Sequence, residues 1–243
     1  MIHYHGTPIT PETAAASIIA GRHAMVSYAN PQQIELMADA CQSFSLDNGA
    51  FSAWRAGKPI EDWKPYYEWV KTWRKHPGFD WALIPDIIDG TEKDNDVQIA
   101  LWPLGRQTGV PIWHLHESLQ KLGRLCEFWP RVAFGSSGDF ATIGTTAWWN
   151  RMGEAMKVAC PFGWPTVKLH GLRMLNPGIF SKFPFSSADS TNVARNIGID
   201  GAWRGTYLPA DKAGRGVVLA DRIESHNSAP RWEPMYTYNE FFS

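Results

Sequence analysis

The sequence predicts an α/β fold: a single (β/α)8 barrel with an irregular C-terminal extension. Three observations predict it. Eight short apolar stretches with strand composition recur along the chain, most are followed by helix-like stretches, and polar residues collect where the strands end. Apolar strands alternating with helices imply a parallel sheet covered by helices, and eight such units imply closure. The glycine-rich turns match neither GxGxxG nor a phosphate-binding loop, which argues against an open nucleotide-binding sheet. The 243 residues suffice for one barrel domain over 1–243, with 196–243 as a closing helix and tail.

The elements follow in order. The first strand is Ile2–His5, ended by Gly6 and Pro8, and Thr10 is placed to cap a helix containing Ala14–Ile19. The second strand, Ala24–Tyr28, leads past Pro31 into a helix through Cys41. The third, Phe44–Asp47, ends in the turn signal Asn48-Gly49, and Asp62–Lys75 reads as an aromatic-rich helix. The fourth, Trp81–Ile84, meets Pro85-Asp86 before a helix from about Glu92. The fifth is Val110–His114, with Ser118 opening the next helix. The sixth, Val132–Phe134, runs into Gly135-Ser136-Ser137-Gly138, and a helix lies near Trp148–Val158. Thr166–Leu169 and Phe185–Ala188 are the last two strands, and Ala220–His226 is the expected closing helix.

Composition narrows the function classes. Lys and Arg total 23 against 24 Asp and Glu, a net charge of −1, so the strong basic field of many nucleic-acid binders is absent, although a local basic groove is not. Cys41, Cys126 and Cys160 are scattered, with no CxxC pair to suggest a disulfide framework or a thiolate zinc site. Met1–His5 is not a basic segment before an apolar run, and no apolar run approaches the ~20 residues of a membrane span. The expectation is a cytoplasmic protein with no membrane partner. Oligomeric state is not legible.

The polar residues after the strands are Asp47-Asn48, Asp86, His114, His116-Glu117, Ser136-Ser137, His170 and Asp189. In a (β/α)8 barrel all of them open onto the C-terminal face, where this fold carries its active sites. Three carboxylates gathered there cost stability unless something uses or neutralises them. Each also has a bland role, an Asp after a strand as helix cap or a His packed inward. His5, His116, His170, Asp86 and Asp189 could alternatively hold a metal, with His3-Tyr4-His5 supplying a His-x-His on the first strand.

These residues also carry a family resemblance. Leu46-Asp47-Asn48-Gly49-Ala50-Phe51 resembles the Asp-Ser-Gly-Gly-Phe segment of queuine and archaeosine tRNA-guanine transglycosylases. Pro85-Asp86-Ile87-Ile88-Asp89 stands where that family has its substrate-reading Asp. Ala133-Phe134-Gly135-Ser136-Ser137-Gly138 resembles its base-cradling strand end, and Lys168-Leu169-His170-Gly171-Leu172 its Tyr-Leu-Met-Gly-Val. Ser187-Ala188-Asp189-Ser190-Thr191-Asn192 with Ala194-Arg195-Asn196 resembles the nucleophile segment. The likeness covers roughly 44–196, in order. The CxCxxC-plus-His zinc subdomain of the tRNA enzymes has no counterpart, and in this the chain is similar to the short phage-type DNA-guanine transglycosylases.

The resemblance implies exchange of guanine in DNA for a 7-deazaguanine base through a covalent glycosyl intermediate. Asp189 would be the nucleophile and Asp47 the general acid and base. Asp86, His116, Gly135, Ser136, Ser137 and His170 would receive the base, and Lys168, Arg173, Arg195, Arg204 and Arg215 the phosphates. This chemistry requires no cofactor or metal. The alternatives are a tRNA substrate, a free-nucleoside transferase or hydrolase, a metal-dependent barrel hydrolase, and an inactive barrel that binds nucleic acid as a subunit.

Overall fold

The computed structural model describes residues 1–198 and 209–234. Its strands are β1 (Ile2–Gly6), β2 (His23–Ser27), β3 (Ser43–Asp47), β4 (Phe79–Leu83), β5 (Gly109–Val110), β6 (Ile112–His114), β7 (Arg131–Gly135), β8 (Lys168–Gly171) and β9 (Ser187–Ser190). All the pairings are parallel, in the order β5-β4-β3-β2-β1-β9-β8-β7-β6. The two ends of that order are halves of one strand, parted only by Pro111. The lower half pairs with β4, Ile84 N donating to Val110 O at 2.9 Å. The upper half pairs with β7, where Ala133 N donates to Pro111 O and Leu115 N to Gly135 O, both at 2.9 Å. Proline has no N–H to add to a ladder, so the expected fifth strand is interrupted there, and the break lies where the barrel closes.

Helices α1 (Glu12–Ile19), α2 (Ile34–Ala40), α3 (Ala50–Arg55), α4 (Lys64–Trp73), α5 (Glu92–Leu101), α6 (Leu119–Phe128), α7 (Thr146–Ala159), α8 (Pro177–Phe180), α9 (Asn192–Asn196) and α10 (Lys212–Glu224) accompany the strands. Local chemistry sets many of their starts. Thr91 and Asp94 form a reciprocal capping box on α5, Ser118 caps α6 through Lys121 N, and Asp211 caps α10 through Gly214 N. Thr10 does not cap α1, which begins behind Pro11 with no side-chain cap. The closing helix starts at Lys212, eight residues earlier than Ala220, because Val217 and Ala220 both serve its packed face.

Strand register decides which side chains enter the barrel. Tyr4 on β1 pairs with Asp189 and His23, His170 pairs with Ala133 and Ser187, and Ser27 pairs with Asp47. Paired residues of a parallel sheet share a face, so these side chains form stacked interior layers. Tyr4, Met25, Trp81, Leu83, Val110, Ile112 and Ala133 make the apolar part of that interior. The larger core, including Ile18, Phe44, Leu46, Trp113, Phe134, Trp148 and Phe185, lies between strands and helices. Among the described residues no helix is long and apolar enough to cross a membrane.

Candidate active site

Asp47 ends β3, and Asn48-Gly49 turns the chain directly into α3. Gly49 makes the turn possible: its φ is +78°, and a Cβ there would lie 2.6 Å from Ala29 N. Asn48 is buried and fully used. Its Nδ2 donates to Ile84 O and to Asp86 Oδ1, both at 2.8 Å, and its Oδ1 accepts from Ala50 N at 2.8 Å. This one side chain therefore ties the end of β3 to the end of β4.

The three carboxylates expected on the C-terminal face do converge. Burial pushes the Asp47 carboxyl up to about 6, against a hydrogen bond with Ser27 that lowers it, and the negative charges of Asp189 and Asp86 raise it further. Asp189, on β9, uses one oxygen for protein contacts. Its Oδ1 accepts from Arg173 N at 3.0 Å and lies 3.3 Å from His170 Nε2, whereas Oδ2 has no hydrogen-bond partner among the described residues. The side chain keeps 12% of its surface open.

Asp86 is placed differently from its expected role of reading a base edge. It is buried, Oδ1 is taken by Asn48, and Oδ2 lies 3.0 Å from His114 Nε2 in a contact too poorly aligned for a hydrogen bond. His116 stacks on His114 with centroids 5.6 Å apart and meets Ser137 Oγ at 2.7 Å, leaving it exposed on the rim. Its loop is held from below. Glu117, fully enclosed, accepts from His114 N, Asn95 Nδ2 and Lys121 Nζ, while Arg151 donates to Leu115 O and Glu117 O. Gly135 is closely approached: a Cβ would stand 3.1 Å from Ile112 Cγ2 and 3.2 Å from His114 Nδ1, so a larger residue would press on both side chains. Ser136 Oγ accepts from Trp148 Nε1 at 2.9 Å.

Three sequence expectations need correction. β8 and β9 each lie about two residues later than expected, so His170 falls inside the barrel rather than beyond its strand. It has no exposed surface and touches Asp189 from beneath, which leaves it unable to meet a base. Lys168 opens β8 and therefore stands at the opposite end of the barrel from Asp189, outside any shared phosphate track. His5 faces away from the barrel interior, because its neighbour Tyr4 faces in. Its Nε2 bonds Glu224 of α10 at 2.8 Å, which removes it from the metal set. Among the described residues no three His, Cys, Asp or Glu side chains are grouped to hold a metal ion.

The arginines divide. Arg173 is exposed at the mouth, with its guanidinium 4.3 Å from the Phe51 ring centre and its charge felt by Asp189, Asp47, Arg195 and Arg55. Its φ of +58° is left-handed, and that turn is what aims its amide at Asp189. Arg195 is exposed on α9. Arg215 is half-buried and donates to Pro209 O at 3.0 Å. Arg204 lies outside the described residues. Phe51 closes the segment that carries the resemblance, whereas Arg55, one turn further along α3, was not singled out in the sequence; its only signal is the i, i+4 spacing from Phe51.

No protein-family model matches the sequence, and no curated protein matches it. Among solved structures, the chain is similar to chains of tryptophan synthase from Pyrococcus furiosus. One from the synthase complex is 8% identical, with a TM-score of 0.49, over 92% of this chain and 97% of that one. A mutant alpha-subunit from the same organism is 10% identical, with a TM-score of 0.46, over 92% and 95%.

Proposed function

We propose that this chain is a DNA-guanine transglycosylase that exchanges guanine for a 7-deazaguanine base. The observation that carries the reading is the pairing of two unlike carboxyls at one barrel mouth. Asp189 has one oxygen held by protein donors and one that meets no donor among the described residues, and Asp47 has its carboxyl raised to about 6. Retaining glycosyl transfer needs this division of labour between a nucleophile and an acid–base. Asp189 Oδ2 attacks C1′, and the C1′–N9 bond breaks with its electron pair passing to guanine. Asp47 supplies the proton that lets guanine leave neutral. The incoming base then gives its N9 proton to Asp47, its nitrogen bonds C1′, and Asp189 departs as the carboxylate.

Arg173, Arg195 and Arg55 supply positive charge beside the carboxylates of the mouth, which suits a phosphate-bearing substrate. A guanine in a duplex must leave its stack to reach Asp189, so flipping or single-stranded substrate accompanies the reaction. The test uses DNA, tRNA and free deoxyguanosine, each with labelled guanine, in the presence of a 7-deazaguanine base. Release of label from DNA matched by uptake of the new base is expected. Release without uptake would replace exchange by hydrolysis, reaction of tRNA or nucleoside alone would change the substrate, and no release from any would end the reading.

A further inference from the structure

A line of buried polar groups runs down the barrel interior from Asp189. Asp189 Oδ1 lies 3.3 Å from His170 Nε2, His170 Nδ1 lies 2.9 Å from Ser187 Oγ, and Arg131 Nη1 donates to Ser187 Oγ at 2.9 Å. His170 and Ser187 have no exposed surface. We propose that His170 is a positioning residue for the nucleophile, held in the Nε2–H form by the carboxylate it faces and backed by Ser187 and Arg131, so that it binds Asp189 Oδ1 and leaves Oδ2 to attack. The inference rests on the glycosyl-transfer reading for its consequence, but not for the proton arrangement itself.

The chain of donors has one consistent direction. A guanidinium only donates, so Ser187 Oγ accepts from Arg131; its proton is free to go to His170 Nδ1, and the carboxylate facing Nε2 is what requires that direction. The reverse form would set a bare Nε2 lone pair against a carboxylate oxygen, which is repulsive. A doubly protonated ring is opposed by burial, which lowers the His170 pKa, with Arg131 adding to that lowering and Asp189 working against it. The groups enclosing the ring are Tyr4 of β1, Trp81 of β4 at 4.7 Å between centroids, Arg131 of β7, and Ser187 and Asp189 of β9. Tyr4 directs its hydroxyl to Asp80 and away from the imidazole. Arg131 is itself fixed, 5.3 Å from the Trp81 ring centre and 3.3 Å from Ser186 Oγ. Fixing a carboxylate by a histidine whose far nitrogen is anchored is a general way to hold a reactive group in a narrow orientation.

The first experiment needs no substrate. In protein with ¹⁵N-labelled histidine, the His170 ring signals, identified by their loss in His170→Gln, should show a protonated Nε2 and a bare Nδ1 at neutral pH. Asp189→Ala, which removes the carboxylate that the Nε2 proton faces, should mix the two tautomers. A protonated Nδ1, or no response to Asp189→Ala, would overturn the proposal whatever the enzyme does. The second experiment is kinetic. His170→Phe should lower kcat about a hundredfold with KM little changed, and His170→Gln, which still donates to Asp189, should recover part of the loss. Equal rates for wild type and both variants would overturn the positioning role. Absence of glycosyl transfer in wild-type protein would instead count against the functional reading and leave the tautomer result standing.

Discussion

Asn48 and Asp86 are joined by a 2.8 Å hydrogen bond at the barrel mouth, and the same amide nitrogen reaches Ile84 O at 2.8 Å. One buried side chain thus sets both the carboxylate and the strand end that presents it. Asn48→Ala leaves Asp86 and the Ile84 carbonyl short of a donor, and a loss of about 1–3 kcal/mol is expected in urea unfolding. Asn48→Asp should cost more, because it sets a second carboxylate against Asp86.

Asp47 gives the site its pH dependence. Its carboxyl is raised in the fold from the ordinary 3.8 to about 6. Stability from this group is fully present below pH 4 and is lost as pH rises through 6, since ionising it in the fold is unfavourable. Asp47→Asn should therefore be more stable than wild type at pH 7, with the difference vanishing below pH 4. In exchange assays kcat/KM should fall above pH 6 as the proton donor ionises, and Asp47→Asn should lose that limb together with most of its rate.

Arg173 combines a left-handed backbone with a charge at the mouth. Glycine adopts that φ without a Cβ penalty, so Arg173→Gly should unfold within about 1 kcal/mol of wild type. Its binding to DNA should weaken, with the slope of log K against log salt falling by about one unit. An unchanged slope would remove Arg173 from the phosphate track.

Lys121 is buried against Glu117 at 2.8 Å, beneath the loop bearing His116. Lys121→Met leaves the Glu117 carboxylate without its cation, and a loss of about 3–5 kcal/mol is expected in thermal or urea unfolding.

Much of this was legible in the sequence because barrel strands announce themselves twice, by an apolar run and by the polar residue that ends it. Asp47, Asp86 and Asp189 stand out in that way, and they do converge. Strand ends were less legible. Val110–His114 reads as one strand, and only closure of the barrel shows that Pro111 divides it between two neighbours. Extending β8 and β9 past their apolar runs moves His170 indoors, because its polar partners Ser187 and Asp189 are far away in sequence. Alternation carried an unused signal. Tyr4 faces in, so His3 and His5 face out, which is enough to separate His5 from Asp189. Arg131 and Asp80, polar groups inside the barrel, could not be read, since an isolated charge at the start of a strand has no sequence mark distinguishing inward from outward.

Glycosyl transfer at this site requires a covalent bond between Asp189 and the sugar. Protein incubated with guanine-containing DNA and a 7-deazaguanine base should give a shifted protein–DNA band on a denaturing gel, absent from Asp189→Ala and retained, at reduced rate, in His170→Gln. An adduct that persists in Asp189→Ala would contradict the account, as would base exchange at the wild-type rate by that variant.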